Sequence, residues 1–161
     1  MKYQTVIGRF EHIDIVGKIE GVPAKIDTGA YNSAIHATDI NIVEKNNKEI
    51  LKFTLLNHPS FTKKRTLQTT RYRKTEIVSS NGHRSQRYEI KLKVRLGFKV
   101  FITTFTLTDR SETVFPILIG RKALNGRFLI NPSKAGVNRK ELVLARSKIN
   151  LNEEILEGLN V

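Results

Sequence analysis

The clearest pattern along the chain is a strict alternation of apolar and charged positions in RYEIKLKVRL, residues 87–96. Because successive side chains of a strand point to opposite faces, this segment predicts a half-buried strand with a basic outer face. Gly97 then permits a turn into FKVFITTFTLTD, which is rich in β-branched and aromatic residues. The two segments together predict a hairpin.

Several shorter segments also predict strands. In HIDIVGKIE isoleucine alternates with other residues, and we expect Glu20–Gly21 to turn the chain into VPAKID and form a second hairpin. EILKFTLL, KTEIVSS, residues 115–119 and GRFLINP add further strands, with a short helix after Gly120. The polar and basic stretch NHPSFTKKRTLQTTRYRK is expected to be a loop.

One helix is predicted near the end of the chain, in NLNEEILEGL. Asn152 is placed to cap it, and Glu153 and Glu154 fall in its first turn. So short a helix needs to dock against the rest of the chain. The whole pattern predicts an all-β fold, either a barrel or a folded-over sandwich.

Composition narrows the class of protein. A chain of 161 residues suits one domain, and charges interrupt every apolar stretch, so we expect no membrane-spanning helix. There is no cysteine, which excludes disulfides and thiolate metal sites. The chain start lacks the pattern of a secretory signal, and a cytoplasmic location is expected.

Charge is the strongest compositional signal. Lys and Arg number 28 against 15 Asp and Glu, a net charge of +13. Such an excess favours a polyanionic partner, which could be nucleic acid, a ribosome, an anionic membrane surface or an acidic peptide. A basic surface that only maintains solubility is the alternative.

The candidate chemistry lies in AKIDTGAYNSAIHA, residues 24–37. Asp before Thr-Gly is common in ordinary turns, because Asp accepts local backbone hydrogen bonds. A catalytic interpretation needs a carboxylate at a strand end, a hydroxyl that reaches a facing loop, and a residue without Cβ that admits close backbone approach. Asp27, Thr28 and Gly29 meet these needs, and FPILIGR is an apolar strand able to pass behind the loop.

Residues 26–30, with ILIGRKAL later in the chain, resemble the Asp-Thr-Gly motif of the retropepsin-type aspartic peptidases. VIGRFEHIDI, AKIDTGAYNSAIHA, VSSNGHRSQRYEI and TLTDRSETVFPILIGRKALNGRFLINP resemble more closely the retropepsin-like proteins associated with the RimK peptide ligase. Proteins of that group carry the label ATP-dependent zinc protease. The resemblance covers residues 6–132 and implies a closed or folded β-barrel. It also implies a peptidase domain over residues 1–133, with residues 134–161 as a C-terminal extension. Tyr31 departs from the basic residue expected there, which bears on substrate specificity.

The resemblance also implies a homodimer. Aspartic-peptidase chemistry uses two neighbouring carboxylates that share one proton, one acting on water as a base and the other donating to the substrate carbonyl. Asp14, Asp39 and Asp109 lack the glycine that follows in the motif. The second carboxylate is therefore expected from Asp27 of another copy across a two-fold axis, with Thr28 bracing the two loops.

Further site residues follow from the resemblance. Substrate contacts are expected from the motif and from a flap-like hairpin tip, namely Ala30, Asn81, Gly82, His83 and Arg84. Support of the motif or of the dimer is expected from Ile119, Gly120 and Arg121. An ordinary hairpin turn and a solvent-facing arginine are the alternatives.

Neither zinc nor ATP has a motif in the chain. The four histidines form no His-Glu-x-x-His pattern, and no phosphate-binding Gly-x-x-x-x-Gly-Lys sequence is present. A metal site from His36, His83 and a carboxylate would have to come from distant residues. We therefore expect no metal and no cofactor.

Two functions remain open at this point. The first is an aspartic peptidase acting on a peptide or protein substrate. RimK-type ligases add glutamates to protein tails, so that substrate could be acidic and drawn by the basic residues Arg84, Arg87, Lys91, Lys93 and Arg95. The second is a catalytically inactive binding module for ribosome, RNA or acidic protein, using the basic clusters at residues 63–65 and 71–74. A dimer that holds its carboxylates far apart would also keep the fold without the chemistry.

Overall fold

The computed structural model describes residues 5–78 and 80–159, and strands dominate it. Over those residues it contains eleven strands and two helices: β1 (Thr5–Ile7), β2 (Phe10–Ile15), β3 (Ile19–Ile26), β4 (Ser33–Lys45), β5 (Lys48–His58), β6 (Phe61–Thr69), β7 (Arg73–Val78), β8 (Arg84–Leu96), β9 (Lys99–Thr108), β10 (Ile117–Ile119), α1 (Arg121–Leu124), β11 (Phe128–Ile130) and α2 (Arg139–Leu159).

Six strands close into a barrel in the order β10, β3, β2, β8, β9 and β4. The ring closes at β10, where Ile117 pairs with Ala24 of β3 on one side and with Ile35 of β4 on the other. β5 and β6 extend the sheet beyond β4, β7 pairs with β8, and β1 pairs with β11. The all-β barrel predicted from the sequence is confirmed.

The alternating segment forms β8 as expected. Ile90, Leu92 and Val94 are buried, and Lys91 and Lys93 between them are exposed. The turn into β9 has two residues in the left-handed region, at φ 52° and 69°, which is the backbone of a tight hairpin. The apolar face of this hairpin packs into the barrel core.

The turn of the second predicted hairpin, expected at Glu20–Gly21, was wrong by several residues. The chain turns at residues 16–18, where Gly17 has φ 74°. Gly21 also has positive φ, but it lies inside β3, where its amide donates to Asp14 Oδ1 at 2.8 Å. Glycine inside a strand often marks a bulge or another local irregularity, and the β2–β3 register shifts nearby.

The loop predicted over residues 57–74 was also wrong, because half of it is strand β6 and its two ends belong to β5 and β7. This strand pairs with β5, with Phe53 opposite Leu67 and Thr54 Oγ1 3.2 Å from Thr66 Oγ1. β6 lies at the end of the sheet order, and lysines on such an edge discourage pairing with other chains. Backbone pairing therefore forms this strand without an apolar run.

The C-terminal helix begins earlier than predicted. α2 starts at Arg139, so Asn152 lies inside the helix and the cap is Asn138, whose Oδ1 accepts the Glu141 amide at 2.9 Å. Val137 and Ile149 are buried, and the Gly136 amide donates to the Phe10 carbonyl of β2 at 2.7 Å, which joins this segment to the barrel. The boundary between residues 133 and 134 stays a prediction. Among the described residues no helix is both long and apolar enough to cross a membrane, and the cytoplasmic location stays a prediction.

Candidate active site

Asp27 lies where the sequence placed it, directly after the last residue of β3. Its amide donates to the Ile119 carbonyl at 2.9 Å, and Ile119 pairs with Ile26 in the parallel ladder. The backbone at the start of the motif is thus fixed to strand β10, whose Ile117 and Ile119 are buried. The Asp27 side chain is 27% exposed, so its carboxylate reaches solvent from a rigid base.

The carboxylate is oriented by its own loop. Oδ1 accepts the Gly29 amide at 2.9 Å, and Oδ2 lies 4.0 Å from Lys25 Nζ. A Cβ added to Gly29 would lie 3.1 Å from Asp27 Oδ1, closer than ordinary contact. The absence of a side chain at Gly29 therefore leaves room for this orientation.

Thr28 and Ala30 complete the motif loop through their backbone. The Thr28 carbonyl accepts a hydrogen bond from Arg121 Nη1 at 3.0 Å, and the Ala30 carbonyl accepts one from the backbone amide of Arg121 at 2.8 Å. Arg121 thus supports the motif within one chain. Bracing of two loops by the Thr28 hydroxyl, and substrate contact by Ala30, stay predictions.

Gly120 is required by close backbone packing. An added Cβ would lie 2.5 Å from the Asn32 carbonyl oxygen, and the Gly120 amide donates to the buried Ser33 Oγ at 3.1 Å. Tyr31, the residue that departs from the family pattern, is 57% exposed, and its ring centroid lies 5.9 Å from the Arg121 guanidinium carbon. A cation therefore lies next to the position where the resemblance led us to expect one.

The predicted hairpin tip is confirmed as a hairpin. β7 and β8 pair up to Val78 and Arg84, and Gly82 has φ 78° in the turn that follows Asn81. Arg84 Nη1 lies 3.6 Å from Glu76 Oε1 of the same hairpin. The roles of Asn81, Gly82, His83 and Arg84 in covering a substrate stay predictions.

A buried histidine pair near the site was missed by sequence reasoning. His36 of β4 and His58 of β5 are almost fully buried, with ring centroids 5.1 Å apart. His36 Nδ1 accepts the Arg110 amide at 2.9 Å, and His58 Nε2 donates to the Arg110 carbonyl at 2.7 Å. We call this arrangement, two rings holding the backbone of one residue, the histidine clamp.

The clamp requires neutral rings. Burial, the largest cause, lowers the pKa of His58 from 6.5 to about 4, and burial also lowers the pKa of His36 although the Asp109 carboxylate opposes it. His58 Nδ1 accepts the Ser60 amide at 3.0 Å, which places the ring proton on Nε2. A second proton on either ring would occupy the Nδ1 atom that now accepts a backbone N–H, and that hydrogen bond would be lost.

Metal ligation finds little support in this geometry. Within residues 5–78 and 80–159 no three His, Asp or Glu side chains are grouped as metal ligands. His12 is exposed and lies 2.9 Å from Glu141 Oε1, while His36 and His58 are used by the clamp. The histidines with described contacts in this part of the chain therefore serve hydrogen bonding.

The barrel and its Asp-Thr-Gly loop define a retropepsin-like protein. A sequence model of the RimB-like family, described as retropepsin-like aspartic endopeptidase RimB, matches residues 6–141. The chain belongs to this RimB-like family of retropepsin-like aspartic endopeptidases, and the family predicted from the motifs is confirmed.

Curated relatives connect the chain with glutamate ligases. It is 31% identical over 118 residues to a protein of Desulfotalea psychrophila and 28% identical over 120 residues to one of Shewanella pealeana, both named "Probable alpha-L-glutamate ligase". These matches cover 71% and 73% of the chain but only 25% and 26% of the relatives. The chain thus spans about a quarter of their length.

A solved structure has the same fold. The crystal structure of a Legionella pneumophila protein, described as of unknown function, matches with a TM-score of 0.66 and 25% sequence identity. The match covers 83% of this chain and 97% of the Legionella chain.

Proposed function

We propose that the chain is an aspartic peptidase that works as a homodimer, with Asp27 of each copy supplying one carboxylate of a shared pair. The observation that carries the proposal is the geometry of Asp27. Its carboxylate is oriented by the Gly29 amide, its backbone is fixed to Ile119, and its side chain still reaches solvent. A group so held and so accessible is suited to act on a bound reactant.

The chemistry needs a second carboxylate close by. Two carboxylates in contact cannot both ionise at low cost, so they hold one proton between them and titrate as a pair. The ionised partner takes a proton from water, which attacks the peptide carbonyl carbon, and the protonated partner donates to the carbonyl oxygen. An isologous interface supplies this pair from one motif per chain.

An acidic protein tail is the proposed substrate. The net charge of +13 and the exposed basic positions of β8 favour an anionic polymer. The relatives named as glutamate ligases support a connection with glutamate chemistry. Attraction by the basic face would raise the rate of encounter and weaken with added salt.

Replacement of Asp27 tests the catalytic role. In Asp27→Asn neither copy offers an ionisable carboxylate, so cleavage of a glutamate-tailed peptide, followed by mass spectrometry, should be abolished. Asp39→Asn is the matched control, because Asp39 is exposed and its φ of 53° suits asparagine equally. Equal cleavage by wild type and Asp27→Asn would refute the proposal.

Mixed dimers test the shared site. Wild type mixed with an equal amount of Asp27→Asn and allowed to exchange subunits should lose about half of its activity per wild-type subunit, since half of those subunits enter mixed dimers. Sedimentation velocity would establish that exchange takes place. Unchanged activity in exchanging dimers would show that one carboxylate per site is enough and would exclude the shared pair.

A binding module for ribosome, RNA or acidic protein is the second candidate. The exposed Lys63 and Lys64 on the edge strand β6 favour this candidate, because exposed cations are available to the phosphate groups of a nucleic acid. Salt-dependent RNA binding that Asp27→Asn leaves unchanged, together with the absence of peptide cleavage, would support this candidate over the peptidase.

A further inference from the structure

We propose that Arg110 determines substrate specificity by binding a carboxylate of the substrate beside strands β2 and β3, the second of which leads into Asp27. The inference rests on the proposed function for its substrate class, but it concerns binding and can be tested without cleavage. It assigns a role to a residue that lies outside the Asp-Thr-Gly motif, the hairpin tip and the Ile-Gly-Arg segment.

The backbone of Arg110 is held from both sides by the histidine clamp. The ring of His36 accepts its amide, and the ring of His58 donates to its carbonyl, at 2.9 and 2.7 Å. Both rings are almost fully buried within the sheet, so they have little freedom to move. An irregular connection between β9 and β10 thereby obtains one rigid position, which is what a recognition residue requires.

The side chain of Arg110 is fixed at its base and free at its tip. Nε donates to the Phe115 carbonyl at 3.0 Å. No hydrogen bond or ion pair of the two Nη atoms is formed with the residues that the structure describes, and no fully buried side-chain nitrogen there lacks a partner. The Nη atoms of this half-buried guanidinium therefore reach solvent and remain available to a ligand.

Packing places the anchor of Arg110 against the strands that lead to Asp27, and the charge of Asp27 acts on Arg110 in the same sense. Burial, the larger cause, lowers the pKa of the Arg110 guanidinium and the Asp27 carboxylate raises it. The Phe115 ring stacks on Phe10 at 4.7 Å, and Phe10 is the register partner of Lys25, two positions before Asp27. The carbonyl that holds Arg110 thus belongs to a residue packed against the strands that carry the motif.

The chemistry of the free tip suits a carboxylate. A guanidinium offers parallel N–H donors that match the two oxygens of a carboxylate, and a partly desolvated cation gains more from such a pair than an exposed one does. Asp27 has its described ion-pair contact with Lys25 instead. The donors of Arg110 are therefore left for a carboxylate from outside the chain.

Two other cations lie near the motif but fit this role less well. Arg121 uses Nη1 on the Thr28 carbonyl and supports the loop. Lys25 is half exposed and has a flexible stem, so it offers a point charge without a fixed direction. Lys25 is consequently a matched control, because its removal takes one positive charge from the strand that leads to Asp27.

Binding of short peptides to the Asp27→Asn protein tests the proposal. The probes are fluorescein-labelled tetraglutamate and tetraglutamine with C-terminal amides, measured by fluorescence anisotropy at fixed salt. Arg110→Gln should weaken tetraglutamate binding about tenfold or more and leave tetraglutamine unchanged. Arg110→Lys should restore only part of the loss, and Lys25→Gln should cost less than about threefold.

Several results would overturn the assignment. Equal weakening by Arg110→Gln and Lys25→Gln would mean that only the overall charge matters. Equal weakening for both probes would mean a structural role, and equal binding of both probes before any change at Arg110 would mean no carboxylate recognition. If Arg110→Gln does not fold by circular dichroism, Arg110→Lys carries the test, because undiminished preference for tetraglutamate would then refute the proposal.

Two further arms separate related explanations. Tetraglutamine with a free C-terminus that binds in an Arg110-dependent way would assign the carboxylate to the peptide terminus instead of a side chain. Cleavage by protein with Asp27 intact is measured separately. Arg110-dependent binding without any cleavage would refute the proposed peptidase activity and leave the role of Arg110 standing. Cleavage without Arg110-dependent binding would refute the role of Arg110 and leave the peptidase activity standing.

Discussion

The histidine clamp predicts that the folded state loses stability in weak acid. His58 is 1% exposed, and its ring is neutral in the clamp because burial lowers its pKa from 6.5 to about 4. An unfolded chain takes up a proton on this ring below about pH 6.5, whereas the folded chain resists until about pH 4. The stabilisation is therefore complete above pH 6.5 and is lost progressively as the pH falls through this window.

The size of the effect follows from the two pKa values. Linkage between 6.5 and about 4 gives a loss of about 2 kcal/mol from pH 8 to pH 5, and about 3 kcal/mol at pH 4. His36 acts in the same direction, since burial lowers its pKa as well. Against a typical domain stability of about 5–15 kcal/mol, this is a large fraction.

Equilibrium urea unfolding at pH 8 and pH 5 measures the loss. The comparison variant is His58→Asn, whose side-chain oxygen can still accept the Ser60 amide but does not titrate. It should be less stable than wild type at pH 8 by about 1 kcal/mol, because the hydrogen bond to the Arg110 carbonyl is lost. It should also lose less stability than wild type on going to pH 5. Protein concentration is kept constant, since association changes apparent stability.

The matched control is His12→Asn, which removes an exposed histidine and leaves the buried pair intact. Its stability should fall between pH 8 and pH 5 at least as much as that of wild type, because the His12 ring faces the Glu141 carboxylate and not a hydrogen-bond donor. If wild type and His58→Asn lose the same free energy over this interval, His58 is not the group responsible and the clamp does not depend on a neutral ring.

Two further changes test the packing around the motif and the helix. Gly120→Ala places a Cβ 2.5 Å from the Asn32 carbonyl oxygen and should lower the free energy of unfolding by about 2 kcal/mol. In Gly29→Ala the new Cβ meets only a side-chain oxygen, at 3.1 Å, so the free energy of unfolding should fall by less than about 1 kcal/mol. Similar losses for the two variants in urea unfolding would contradict this ranking. Asn138→Ala removes the cap of α2, so it should lower the free energy of unfolding by about 1 kcal/mol and speed hydrogen exchange in the first turn of the helix. Asn150→Ala, at an exposed position within the same helix, should leave exchange in that turn unchanged. Equal exchange in both variants would exclude the cap.

The barrel was predictable from the sequence because its strands bury one face. In β8 the alternation of Ile90, Leu92 and Val94 with basic residues reports the two environments directly. β6 gave no such signal, since an edge strand can be formed by backbone pairing with few apolar side chains. The start of α2 was missed because the cap at Asn138 precedes a stretch rich in charged residues, and its docking depends on contacts distant in sequence.

The candidate site divides in the same way. Asp27 and Gly29 form a local motif, and their hydrogen bond joins residues two positions apart. His36, His58 and Arg110 carry no motif, because only the pairing of β4 with β5 and β9 brings them together. A signal was present in retrospect, since histidine at an inward position of an apolar strand needs a fixed hydrogen-bond partner when it is buried.

The clamp and the proposed carboxylate pair place different demands on pH. A carboxylate pair works with one proton shared between its members, and acid conditions generally favour that state. The clamp works only while His36 and His58 are neutral, and acid removes that state. Because the clamp holds the backbone of Arg110, protonation of the rings would release the cation that is proposed to bind the substrate. The acid limit of the proposed peptidase is therefore expected to follow the buried histidines, and its substrate preference should disappear at that limit together with the stability.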